Sequence, residues 1–196
     1  MNIHTLIAER KSIRAFSEKE IAEHTLLSLF EAARWAPSSM NDQPWRFIIA
    51  QRKEQENFDR MLSCLNDANR IWAKQGAALV VVVAKKQHSN GSVNKYAWHD
   101  VGLAVGNLSM QATAQGIYMH QMGGFNAEVA TKLFSIPDEY EPVSMIVLGY
   151  AGDPNSLPEK LKERELMMRE RKLLNQLVFG EKFGIPSALI KLTEGN

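Results

Sequence analysis

The run "AALVVVVA", residues 77 to 84, constrains the fold more than any other stretch of the chain. Its β-branched residues fall on both faces of an extended backbone, so a strand here needs apolar cover above and below. The run is far too short to span a bilayer. A doubly covered strand needs a substantial domain around it. With 196 residues, 45% of them hydrophobic, the chain can build one with a sizeable core. No repeat, low-complexity tract or linker interrupts it, so a single domain over 1–196 is expected.

The flanking patterns supply the covering layers. Ile3, Leu6, Ile7 and Arg10 share one helical face. A second helix is expected from Glu23 and His24, stopped by Pro37. "WRFIIA" (45–50) reads as a strand, and residues 53–74 as one or two helices. A small-residue helix over 98–116 ends at Gly116; the strand "IYMHQM", the turn "GGFN" and the helix "AEVATKLF" follow. "PVSMIVLGYAG" (142–152) is another strand, the segment from Pro158 begins as a charged helix, and the tail to Asn196 shows no core pattern. This irregular alternation predicts an α+β sandwich with helices on a mixed sheet.

Several chemistries are disfavoured at once. Lys plus Arg number 23 against 22 for Asp plus Glu, which leaves no electrostatic footprint for nucleic acid or an anionic membrane. Cys64 is the only cysteine, so neither an internal disulfide nor a Cys-based zinc site can form. "MNIHTLIAERKS" lacks a long apolar core and a small-residue cleavage pattern, so no signal peptide and a cytoplasmic location are expected. There is no GxGxxG after a strand, no GxxxxGK[ST], no HExxH and no GxSxG. The histidines at 4, 24, 88, 99 and 120 are scattered, and a helix would not bring the adjacent His99 and Asp100 to one face. No metal site is expected.

Four polar clusters remain, each with an ordinary explanation. In "ERKSIRAF" (9–16), Arg10, Lys11 and Arg14 could simply complement a helix C-terminus. "APSSMNDQPWRF" (36–47) could be a turn rich in Ser, Asn and Asp. The glycines of "GGF" (123–125) suit any tight turn, and "RERK" (169–172) suits a solvated helix end.

Taken together, and with "GNLSMQATAQGI", "IPDEYEPVSMIVLGY" and "RERKLLNQLVF", these segments resemble the FMN-dependent nitroreductase family in order and spacing along nearly the whole chain. The resemblance implies a three-layer α/β/α sandwich with a mixed, mainly antiparallel central sheet. It also implies noncovalent FMN, NAD(P)H as electron donor, and a homodimer with shared active sites. By the match, Arg10, Lys11, Ser12, Arg169 and Arg171 hold the phosphate and ribityl chain, where an Arg fork can make paired bonds to phosphate. Arg14 faces the pyrimidine edge of the ring, and Asn69 hydrogen-bonds the ring. Met122, Gly123 and Gly124 bring backbone to the N5 edge, where glycine permits close approach. Many relatives carry Glu at the position of Gly123. Pro37, Ser38, Ser39, Asn41 and Gln43 line the flavin of the neighbouring subunit, and the helix over 98–116 packs at the two-fold interface.

The implied chemistry is ping-pong electron transfer from NAD(P)H through flavin to a nitroaromatic, quinone or similar small acceptor, with no protein nucleophile. Tyr96 and Trp98 would be aromatic walls of the acceptor site or plain packing residues. Two alternatives stand beside this reading: a flavin-binding sensor or partner-binding protein that does not turn over, and a specialised flavin-fragmenting or dehydrogenating relative.

Overall fold

The computed structural model describes residues 2–191. The sequence-based domain limits at 1 and 196, and the end of the tail, extend to positions outside the described residues. β2 (Ala78–Lys85) is the central strand that its composition demands, with β1 (Trp45–Gln51) and β4 (Tyr140–Gly149) as neighbours and β3 (Tyr118–Met122) beyond β4. All three pairings among the described residues are antiparallel. The β2–β4 register shifts between Val82 and Val83.

The alternation along β2 divides the core in two. Val80, Val82 and Ala84 face α2 (Glu23–Arg34) and α5 (Ala97–Ala114), meeting Leu29, Val101 and Leu108. Leu79, Val81 and Val83 face the opposite layer, where Phe58 and Met61 of α3 (Gln55–Ser63) and Trp72 of α4 (Asp67–Ala73) lie. Ala130 of α6 (Ala127–Leu133) joins that second cluster. Residues 78 to 84 are at most 2% exposed, and enclosing each Val or Leu contributes about 1.5–3 kcal/mol. The three-layer sandwich follows from this one strand.

α5 ends where Gly116 takes a left-handed φ of +67° and the Ile117 N–H returns to the Ala112 carbonyl at 2.8 Å. Its small residues serve two directions. Ala104, Ser109 and Ala112 are buried in the chain's own core, whereas Gly102, Gly106 and Ala114 face outward. α1 (Thr5–Glu9) is one short turn, and α7 (Glu159–Leu166) ends before the basic run, so Arg169–Lys172 is coil rather than a helix end. Beyond it Leu173, Leu177 and Phe183 are exposed, in keeping with a tail that lacks a core pattern.

Candidate active site

The segment after α1 is fastened from three sides. Glu165, at the inner face of α7 with its side chain only 7% exposed, accepts the Arg14 N–H at 2.9 and 3.0 Å and the Ala15 N–H at 3.3 Å. His120 on β3 donates through Nδ1 to the Ile13 carbonyl at 2.8 Å. Arg169 donates to the carbonyls of Ala8 and Arg10. These bonds bring Arg10, Lys11 and Ser12 opposite Arg164, Arg169 and Arg171 around a cavity of about 660 Å³. Arg10 also donates to the Ser12 hydroxyl at 3.1 Å. Burial, and then the charges of Arg169 and Arg171, hold the Arg10 guanidinium below its ordinary pKa. Cations pressed together in this way favour a bound anion.

Arg14 is placed differently. Its guanidinium lies 5.9 Å from the Trp72 ring and 3.9 Å from Glu165, turned toward the protein rather than lining the cavity with the other cations. Trp72 in turn meets the His120 ring at a centroid distance of 4.6 Å. Burial drives the His120 pKa down and the charge of Arg14 adds to this, while the bond to Ile13 opposes it.

β3 delivers the glycine turn. The Gly124 carbonyl accepts the Asn66 N–H at 3.1 Å and the Asn69 side-chain amide at 3.0 Å. A Cβ on Gly124 would stand 2.4 Å from Asn66 Nδ2 and 2.8 Å from Asn69 Nδ2, so any side chain here would have to displace both amides. Gly123 differs, because a Cβ there would meet nothing within 4 Å and its backbone borders open space. The Met122 side chain is buried in the core, leaving only its backbone for a ligand.

The loop after α2 makes a second site. The Ser39 N–H is bonded to Asp100 Oδ2 at 2.9 Å, and the Gln43 N–H to the Ser38 hydroxyl at 3.0 Å. The Gln43 amide donates to the Asn41 carbonyl at 3.2 Å. Pro37, Ser38 and Ser39 line a depression of about 400 Å³ with Tyr96, His99 and Asp100. It shares no lining residue with the basic cavity. Tyr96 and Trp98 are 60% and 53% exposed, so neither is a packing residue within this chain; Trp98 instead donates to Glu141.

A model described as the nitroreductase family matches residues 7–150. The chain belongs to the nitroreductase family. It is 31% identical over 148 residues to a 15.4 kDa protein of Mycolicibacterium smegmatis, covering 72% of this chain and 99% of that one. It is 23% identical over 188 residues to a Bacillus subtilis protein named FMN reductase [NAD(P)H], covering 87% and 74%. A crystal structure described as an oxidoreductase containing FMN superposes with a TM-score of 0.89 at 31% identity, covering 93% of each chain.

Of the expected site residues, Arg10, Lys11, Ser12, Arg169 and Arg171 are brought together, Arg14 lies against Trp72, and one Asn69 amide hydrogen is donated to Gly124. Four groups carry structure that the motifs did not reveal: Glu165, His120, Asp100 and Asp42. Glu165 sits in a run of charges that resembles a solvated helix. Asp100 did leave a trace, as the lone carboxylate in α5. The expectation that His99 and Asp100 stay apart is corrected in part. Their exposures of 70% and 4% do mark different faces, yet the His99 ring leans back until Nδ1 lies 3.2 Å from Asp100 Oδ1.

Proposed function

We propose that this nitroreductase-family chain is an FMN-dependent oxidoreductase that passes electrons from NAD(P)H to small acceptors such as quinones and nitroaromatics, by a ping-pong mechanism. The observation that carries this reading is the convergence of Arg10, Lys11, Ser12, Arg169 and Arg171 on one cavity, with the backbone of Gly123 bordering open space. Such a donor set fits a terminal phosphate, and an open glycine backbone fits a flat ring lying close. The names of two relatives, one an FMN reductase and one an oxidoreductase containing FMN, agree with it.

FMN, when bound, supplies the electron transfer between donor and acceptor. The chain's residues do the rest. Arg10, Arg169 and Arg171 neutralise the phosphate, and Ser12 adds a hydroxyl. Glu165 and His120 keep the Ile13–Ala15 backbone in place. Gly123 and Gly124 present backbone to the ring, with Asn69 fixing the turn and Met122 anchoring it in the core. Arg14, with its guanidinium against Trp72, adds positive charge behind the site.

The separate depression at Pro37, Ser38 and Ser39, with Asn41 and Gln43 beside it, serves the cofactor of a second copy in a homodimer. The outward Gly102 and Gly106 of α5 allow another helix to approach. Two-fold symmetry then makes two composite sites.

Cofactor released by heat and separated by chromatography should be FMN, and the yellow protein should oxidise NAD(P)H faster when a quinone is added. FAD, or a colourless chain that takes up no FMN, would overturn the assignment, and a yellow chain without turnover would favour a sensor. Arg171 is exposed and among the described residues donates only to the Glu170 carbonyl at 2.7 Å, so Arg171→Ala should leave the fold intact. A charged hydrogen bond contributes roughly 1.5–3 kcal/mol, so FMN affinity should fall about tenfold or more. Mixing Arg10→Ala chains with Ser39→Ala/Gln43→Ala chains should restore activity above either parent, because one site of each heterodimer escapes both lesions.

A further inference from the structure

We propose that His99 is the proton donor to two-electron acceptors in the composite site. The inference rests on the reading above, in which the loop of Ser38 and Ser39 lines the cofactor. It adds a catalytic residue that the family motifs do not supply.

Reduction of a quinone or nitro group consumes protons as well as electrons. Ser38, Ser39, Asn41 and Gln43 offer amides and aliphatic hydroxyls, none of them an acid near neutral pH. His99 lines the same depression as Ser38 and Ser39, with its side chain 70% exposed. Its Nδ1 lies 3.2 Å from Asp100 Oδ1. Asp100 is itself fixed: its side chain is 4% exposed, and its Oδ2 accepts the Ser39 N–H at 2.9 Å. A carboxylate held on Nδ1 orients the imidazole and leaves Nε2 directed away, the arrangement a general acid requires. Two more enclosed histidines are differently occupied. His88 is only 12% exposed and bonded to Asp42, and the Nδ1 of His120 is committed to the Ile13 carbonyl.

The step balances for a benzoquinone. One carbonyl oxygen receives a proton from His99 as its Nε2–H bond breaks. The other carbonyl oxygen would receive an electron pair with its proton as a hydride supplied by the reduced cofactor, giving hydroquinone. Neutral His99 then regains a proton from water through the open depression. Ferricyanide, which takes one electron and no proton, needs no such donor.

The test compares acceptors in the oxidative half-reaction of stopped-flow experiments on the holoenzyme. General acid catalysis contributes about a hundredfold or more, so His99→Gln should lower the quinone-to-ferricyanide rate ratio by about that factor. His99→Asn should do the same. Nitrogen-15 NMR of the purified protein provides a readout independent of turnover. The fixed proton of His99 should sit on Nδ1 and the exchanging one on Nε2, and Asp100→Asn should abolish that preference. An unchanged rate ratio, or a fixed proton on Nε2, would overturn the assignment while leaving the oxidoreductase reading intact. Failure of the wild-type chain to reduce ferricyanide with NAD(P)H would overturn both.

Discussion

Asp42 Oδ2 and His88 Nδ1 lie 3.0 Å apart, with side chains 8% and 12% exposed, and they tie the loop after α2 to the segment after β2. Ser89 adds its N–H at 3.2 Å and its hydroxyl to the same carboxylate. The loop needs such a tie, because Met40, Asn41 and Gln43 hold left-handed φ values of 55°, 55° and 49°. Backbone of that kind costs on the order of 1–3 kcal/mol per residue and persists only where the surroundings enforce it. Asp42→Ala is therefore expected to destabilise the chain by about 1.5–3 kcal/mol in urea unfolding. Asp42→Asn, which keeps the shape, should cost less. Equal stability of all three proteins would show that the loop holds itself.

The two glycines of the turn should respond in opposite ways. Gly123→Ala places a methyl in open space, so the cofactor-free chain should melt as the wild type does. FMN titration should then reveal an affinity loss of about 1–3 kcal/mol from the crowded ring. Gly124→Ala pushes the Asn66 and Asn69 side chains aside and breaks the Asn69 bond, costing the cofactor-free chain about 0.5–1.5 kcal/mol. A matching loss of stability in both variants would place Gly123 in the packed interior instead.

Acid should loosen the site before it unfolds the core. The His120 pKa is depressed chiefly by burial, so the unfolded chain takes up its proton at higher pH than the folded one. Stability from this group is complete above the ordinary imidazole pKa of about 6.5 and is lost as pH falls from there through the lower folded value. Asp42 is also depressed, with the Ser89 hydroxyl bond as the largest cause, and its contribution disappears only below the ordinary carboxylate range. His120→Gln keeps a donor for the Ile13 carbonyl but cannot titrate. Its melting temperature should therefore fall less between about pH 7.5 and 5.5 than that of the wild type. Parallel curves would mean that His120 is not protected from protonation.

The layers were legible in the sequence because β2 reports its own surroundings: a strand apolar on both faces has one kind of place to go. Gly116 and Pro37 likewise declare helix ends through local backbone chemistry. The basic cluster was legible only as a set of motifs, since nothing local says that Arg10 and Arg169 meet. Glu165 was illegible for a physical reason. Its partners are the backbone N–H groups of Arg14 and Ala15, which every residue but proline possesses, so no pattern in the chain marks them. The outward and inward shares of the small residues on α5 could be separated only once α2 and the sheet were in position.

The pairing of Glu165 with Arg14 joins positions 151 apart in the chain, and that of Arg169 with Ala8 joins positions 161 apart. The three layers can collapse around β2 without these contacts, but the basic cavity cannot form without them. During synthesis, residues 8 to 15 leave the ribosome long before their partners exist. The cavity therefore needs a long loop closure that is possible only once residues 165 to 169 have been made. Cofactor capture belongs to the nearly finished polypeptide, and a chain truncated before Glu165 would retain the strands of the sheet but have nowhere to seat a phosphate.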